Sequence, residues 1–196
     1  MHRYRFRFVL LLAVLMIGGC GGEDPGPAED VGVVGGWFTA GCGLARLPEY
    51  AMGMPVTPAK LDAVMAEIEK AGRRDFADSY AGLEVDQQHV RALVYRVPSA
   101  TFDDFIRRAA EDVCILVRDA ANTAVDLSYW HDRVLADLAY WTHQGIRIVS
   151  VGARHDGSAV EIGTQDPDRA GRELPARYGE RAPLHFLREG PVRPLD

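Results

Sequence analysis

Three cysteines carry the most reactive side chains of this sequence, and they lie at Cys20, Cys42 and Cys114. A thiolate is a nucleophile that can take a covalent group, and two thiols can oxidise to a disulfide. The histidines offer less chemistry. His131 and His143 are twelve positions apart on one predicted helix, about 18 Å by helical rise, which is too far to share a metal ion. The sequence contains no Gly-x-Ser-x-Gly, His-Glu-x-x-His or Cys-x-x-Cys motif. It therefore indicates no catalytic residue, metal site or cofactor.

Two further stretches hold polar groups, and each has a plainer interpretation. His155-Asp156 falls in a predicted turn, where exposure to solvent explains it. Ser128 to Asp132 gathers polar and aromatic groups at the start of a helix, but a helix presents only every third or fourth residue on one face. The sequence therefore favours solvated neighbours around a core-facing Trp130 over a catalytic site.

Cys20 follows a segment with the layout of a secretory signal. In chain order the segment contains Arg3, Arg5 and Arg7, the apolar run from Phe8 to Ile17, and the small residues Gly18 and Gly19. Ten apolar residues in a helix span about 15 Å, half of a bilayer core, so the run is short for a permanent anchor.

Ile17-Gly18-Gly19-Cys20 resembles the lipobox of bacterial lipoproteins, in which a small-residue pair precedes the lipid-bearing cysteine. The resemblance implies cleavage before Cys20, acylation of its thiol, and attachment to membrane lipid on the extracytoplasmic face of the cell membrane. An ordinary cleaved signal and an uncleaved N-terminal anchor are the alternatives.

Cys42 and Cys114 are the thiols that remain when Cys20 carries lipid. An exported chain enters an oxidising compartment, where a Cys42–Cys114 disulfide is the natural pairing. Two buried free thiols are the alternative, because Cys114 lies in the apolar run Val113 to Val117 and cysteine is often a small core side chain.

Length and composition indicate either one folded domain with a real core or two small lobes packed together, with an acidic balance of charge. The chain has 196 residues, 47% of them hydrophobic, and a net charge of −6. Without residues 1–19 the balance is 19 basic against 28 acidic side chains, or −9. That balance disfavours nucleic acid as a partner and provides no polybasic membrane patch.

The pattern predicts four parts: a lipoprotein signal peptide over 1–19, a lipid-anchored flexible tether and Gly-rich segment over 20–56, an α+β domain over 57–188, and a tail over 189–196. The Gly-rich stretch Val31 to Leu44 lacks the spacing of a phosphate loop. A flexible apolar segment pinned to the core by Trp37, Phe38 and Cys42 is favoured there.

The α+β domain is predicted as two similar strand–turn–strand–helix–strand units linked by a long helix, with an N-terminal helix before them. Thr57-Pro58 opens that first helix and Gly72 can end it, while Thr101 with Asp104 forms a variant capping box in the first unit. Asp166-Pro167 opens the helix of the second unit and Gly179 ends it. Asp126 caps the long linking helix, whose apolar stripe holds Trp130 and Trp141, and both tryptophans are expected to be mostly buried.

Ala81-Gly82-Leu83-Glu84-Val85-Asp86 and the repeated hairpin–helix–strand order resemble modules of the alpha-lytic protease prodomain family, as found in actinobacterial lipoproteins and secreted proteins. The resemblance covers residues 80–188. It implies modules that fold beside a serine protease and inhibit it. This sequence contains no Gly-Asp-Ser-Gly motif, so such a protease would be a separate protein.

Three functions remain open from the sequence. The favoured one is a membrane-anchored, non-enzymatic protein-binding or structural module that offers its sheets to an unknown protein partner. The second is a prodomain-like inhibitor or chaperone of a separate protease. The third is a small-molecule-binding protein or enzyme whose site is not visible in the sequence, which a deep pocket with converging polar groups would favour.

Overall fold

The computed structural model describes residues 35–44 and 46–190 as a mixed α and β fold, the predicted class. The helices are α1 (Ala59–Asp75), α2 (Ala100–Ala109), α3 (Ala124–Ala136), α4 (Leu138–His143) and α5 (Pro167–Tyr178). The strands are β1 (Gly36–Phe38), β2 (Glu49–Ala51), β3 (Met54–Val56), β4 (Tyr80–Asp86), β5 (Arg91–Arg96), β6 (Ile115–Asp119), β7 (Ile148–Ala153), β8 (Val160–Thr164) and β9 (Leu184–Arg188). Within these ranges no helix has the length and apolarity needed to cross a membrane.

The first sheet has the strand order β1-β6-β5-β4. β4 and β5 form an antiparallel hairpin, and β6 returns parallel to β5 after α2 crosses over one face. Alternation places Ala92, Val94, Ile115 and Val117 on that face, where all four are fully buried against α1 and α2. Phe102 and Ile106 of α2 complete this core.

The second sheet has the order β7-β8-β9 and repeats the pairing of the first. β7 and β8 are antiparallel, and β9 is parallel to β8 after α5 crosses over. Val160 and Ile162 are buried with Leu174 of α5 and with Leu127 and Val134 of α3. Each hairpin–helix–strand unit therefore buries one face of its sheet under a helix.

The described part of the predicted tether and Gly-rich segment over 20–56 forms regular structure. β1 pairs antiparallel with β6, placing Trp37 opposite Val117, and a 3₁₀ helix follows at Ala40–Gly43. β2 and β3 then form a separate hairpin. Trp37 packs on the first core, but Phe38 does not pin the segment as predicted: alternation turns its side chain to the other face, where it is 67% exposed.

Three predicted helix starts are displaced to a neighbouring cap. Ser99, two residues before Thr101, is the N-cap of α2 and accepts a hydrogen bond from the Phe102 amide. Thr123 caps α3 in a capping box, so Asp126 is the third helical residue rather than the cap. Pro58 is the N-cap of α1 and has no side chain that could accept a hydrogen bond, while the Thr57 hydroxyl accepts one from Gln87.

Gly72 does not end α1, which continues to Asp75. A Cβ at Gly72 would lie 2.5 Å from the Tyr80 ring, so the glycine allows α1 to approach β4 closely.

The predicted long helix is interrupted at Asp137, between α3 and α4. Arg177 and the Tyr178 hydroxyl, both near the end of α5, donate hydrogen bonds to the Asp137 carboxylate. The Trp141 indole in turn donates to the Tyr178 hydroxyl at 2.8 Å. Trp141 is 2% exposed, as predicted, and Trp130 is partly buried at the margin of the second core.

Candidate functional site

The side of the first sheet that faces away from α1 and α2 is the candidate binding surface, called the open face below. Strand register places one cross-strand row of Phe38, Leu116, Leu93 and Glu84 on it, and a second row of Gly36, Arg118, Tyr95 and Gly82. Leu93 and Leu116 belong to neither of the two hydrophobic cores among the described residues.

Three neighbouring strands supply the apolar part of the open face. Phe38 on β1 is largely exposed, and Leu116 and Leu93 beside it are half-buried. Because β1 is the edge strand of its sheet, the backbone groups on its outer side point away from β6. The open face therefore offers an exposed aromatic ring next to a strand edge that no other described strand pairs with.

A polar corner closes the other end of the same row. The Tyr95 hydroxyl donates a hydrogen bond to Glu84 Oε2 at 3.2 Å, and His155 Nε2 lies 3.1 Å from that same oxygen. His155 comes from the turn between β7 and β8, and its ring meets the Tyr95 ring edge-on at 5.8 Å. Tyr95 is buried, whereas the side chains of Glu84 and His155 are about half exposed.

Glycines allow the β7–β8 turn to reach this corner. A Cβ at Gly82 would lie 2.0 Å from the His155 carbonyl oxygen. Gly157 adopts a φ of +71°, and a Cβ there would meet the Ala120 and Ala81 side chains at 2.7 and 2.8 Å. Asn122 donates its backbone and side-chain N–H groups to the Gly157 carbonyl. The two repeats thus approach too closely at Gly82 and Gly157 for a side chain at either position.

Charged hydrogen bonds hold the shape of the β7–β8 turn. Burial alone would raise the pKa of the Asp156 carboxyl, but hydrogen bonds from Arg154 and Ser158 outweigh it and lower that pKa to about 2. Arg154 also pairs with Glu161 of β8. Asp156 is therefore ionised at neutral pH and keeps the turn that carries His155 in place.

The cysteine pair predicted from the sequence is joined in the structure. Cys42 and Cys114 form a disulfide with their Cα atoms 4.1 Å apart, well inside the limit of about 7 Å for a bridge. Thr39 supports the same connection, since its buried hydroxyl donates to the Val113 carbonyl and accepts from the Ile115 amide. These contacts fix the end of β1, and with it Phe38, on the open face.

The remaining candidates from the sequence do not come together. Cys20 lies outside the described residues. His89 contacts Asp86 in the β4–β5 turn, and His131 contacts its neighbour Asp132. Within residues 35–44 and 46–190, no three His, Cys, Asp or Glu side chains are grouped closely enough to hold a metal ion.

Sequence reasoning placed His155 in a turn but missed its contact with Glu84 and Tyr95. Glu84 and Tyr95 share the β4–β5 hairpin, but His155 follows Glu84 by 71 positions. Only Gly82, a small residue inside a strand pattern, signalled a close approach of another segment.

No family model, curated protein or solved structure matches this chain. The arrangement of the open face is therefore interpreted from its chemistry alone.

Proposed function

We propose that this protein is an extracytoplasmic lipoprotein, anchored through Cys20, that binds a protein partner with the open face of its first sheet. The observation that carries the binding role is the exposed Phe38 ring beside Leu116 and Leu93, three neighbouring apolar residues that belong to neither core. Large apolar side chains grouped on a surface are characteristic of interaction sites.

The chemistry of the open face favours a protein over a small molecule. Aromatic and aliphatic side chains bordered by polar groups are the usual composition of a protein interface. Phe38 with two leucines supplies the apolar part, and Arg118 and Glu84 supply charges of both signs at its border. The edge of β1 adds backbone groups that an extended partner segment can pair with.

The membrane anchor is supported by the Ile17 to Cys20 motif and agrees with the Cys42–Cys114 disulfide, since disulfides persist in oxidising compartments. The test is the intact mass of the mature protein purified from its host membrane. We expect a chain that begins at Cys20 and carries a diacylglycerol thioether and an N-acyl chain. The Cys20→Ser variant is the control and should lose both additions. An unmodified N-terminus, or cleavage at another position, would reject the anchor.

The binding role is tested by placing a photo-crosslinking phenylalanine analogue at position 38 and, as the matched control, at position 129. Tyr129 is also an exposed aromatic residue, 57% exposed, but it lies on α3. We expect position 38 to yield a discrete protein adduct in intact cells, and Leu116→Asp in the same chain to abolish it. Equal labelling from both positions, or adducts with lipid alone, would contradict the proposal.

A second candidate function is inhibition or chaperoning of a separate protease. The twofold occurrence of the same hairpin–helix–strand pairing supports it, together with the edge of β1 available for strand addition. The crosslinking experiment separates the two candidates. A protease in the adduct at position 38, inhibited by the purified protein, supports the second candidate; any other protein supports the first.

A further inference from the structure

The segment before α1 displays apolar side chains to solvent, and these residues are called the apolar arm below. Its members are Leu44, Leu47, Tyr50, Met52 and Met54. Their exposures run from 57% for Leu44 to complete exposure for Met52. Scattered exposed apolar residues are normal, but such a concentration in one short segment indicates a surface that meets another phase or partner.

The hairpin formed by β2 and β3 has apolar side chains on both of its faces. Tyr50 lies opposite Pro55 on one face, and Ala51 lies opposite Met54 on the other. Met52 and Gly53 form the two-residue turn, both with positive φ, so Met52 projects at the tip. A two-stranded hairpin is marginally stable in water without a cover, so these two apolar faces are suited to an apolar environment.

The base of the apolar arm is fixed to one end of the first sheet. Thr57 accepts a hydrogen bond from Gln87 in the β4–β5 turn, and Lys60 pairs with Asp112 just before β6. Arg46 donates a hydrogen bond to the Asp112 carbonyl. Residues 44–56 contain one arginine and one glutamate, so the apolar arm carries no net charge.

The length of chain between Cys20 and the described residues indicates what the apolar arm contacts. Gly35 follows Cys20 by 15 residues. Such a linker reaches about 50 Å when fully extended and spans about 20 Å on average when flexible. A chain held by lipid at Cys20 therefore keeps the apolar arm within a few nanometres of the bilayer.

We infer that the apolar arm inserts into the interface of the membrane that carries the lipid anchor. This inference rests on the proposed lipidation of Cys20. The absence of net charge on the arm means that apolar partition, rather than attraction to anionic lipid, provides the contact. Insertion of the arm would give the protein a second membrane contact, close to the base of the first sheet.

The test uses the mature protein, purified from its host membrane and reconstituted into phosphatidylcholine vesicles, with tryptophan introduced at one of two exposed apolar positions. Met52→Trp reports on the arm. Val125→Trp is the matched control, because Val125 is 58% exposed but lies on α3. The emission of the three natural tryptophans is measured in the unsubstituted protein and subtracted. We expect lipid brominated on its acyl chains to reduce the emission of Trp at position 52 by about twofold and to leave position 125 unchanged, because an interfacial side chain is buried about 5–10 Å into the headgroup boundary.

Two results would overturn the inference. One is quenching of position 52 by acrylamide in water but not by brominated lipid. The other is protection of position 52 from both quenchers, which would show that protein, such as a second copy, covers the arm. An intact mass with lipidated Cys20 and no lipid quenching rejects the arm while leaving the anchor in place. An unmodified Cys20 rejects the anchor, and lipid quenching at position 52 then still reports on the arm.

Discussion

Removal of the Cys42–Cys114 disulfide gives the sharpest test of how the N-terminal segment is held. The bonded residues are 72 positions apart. In the chain-entropy description, a cross-link closing a loop of that size contributes about 4 kcal/mol to the free energy of unfolding. For a domain of this size each kcal/mol corresponds to about 2–4 °C in Tm, so reduction should lower Tm by about 8–16 °C.

The assay is thermal and urea unfolding of the native protein, the reduced protein and the Cys42→Ala/Cys114→Ala variant. Because the Thr39 hydrogen bonds and the pairing of β1 with β6 remain, we expect the sheet to persist in all three. The reduced protein and the double variant should unfold alike, and reductant should not change the double variant. A loss of less than about 1 kcal/mol in the double variant would refute the reasoning, since it would mean that the closed loop does not restrict the unfolded chain.

Three further predictions concern the two repeats and their contact. Gly82→Ala should lower the free energy of unfolding by about 1–3 kcal/mol, because its Cβ would meet the His155 carbonyl oxygen at 2.0 Å. Gly152→Ala is the control and should be neutral or slightly stabilising, because a Cβ there meets no atom within 4 Å. Urea unfolding of both variants measures the difference. Arg96→Met should lower the free energy of unfolding by about 3 kcal/mol, because the 5% exposed guanidinium pairs with aspartates on α2 and β6 and both would lose their partner. An unchanged midpoint of urea unfolding would argue against a stabilising role for these ion pairs. The free energy of unfolding should fall as pH drops from about 4 through 2, because the Asp156 pKa of about 2 lies below the ordinary value of an aspartate. Urea unfolding at each pH measures this fall, and Asp156→Asn should make it smaller.

The sequence predicted the helices and strands whose capping and turn residues lie within a few positions of their ends. α5 begins after Asp166 with Pro167 and ends at Gly179, as its capping residues indicate. The displaced starts of α2 and α3 also have local signals, at Ser99 and Thr123. Thr123 and Asp126 have the spacing of a capping box, and Thr123 occupies the cap position because its hydroxyl accepts from the Asp126 amide.

Non-local contacts determined the features that the sequence missed. β1 pairs with a strand about 80 positions away, and a three-residue strand carries no periodicity of its own. The break at Asp137 depends on Arg177 and Tyr178 of another helix. No window of local sequence contains both partners of such contacts.

The sequence by itself determined the α+β class, the positions of most helices and strands, and the cysteines available for pairing. These depend on hydrophobic alternation and on turn and cap residues, which act between near neighbours along the chain. Only the tertiary structure decided which sheet face stayed free of helices, that Phe38 lies on it, and that His155 meets Glu84 and Tyr95. Those outcomes depend on strand register and on the packing of one repeat against the other, because a shift of one residue in register would exchange the buried and open faces.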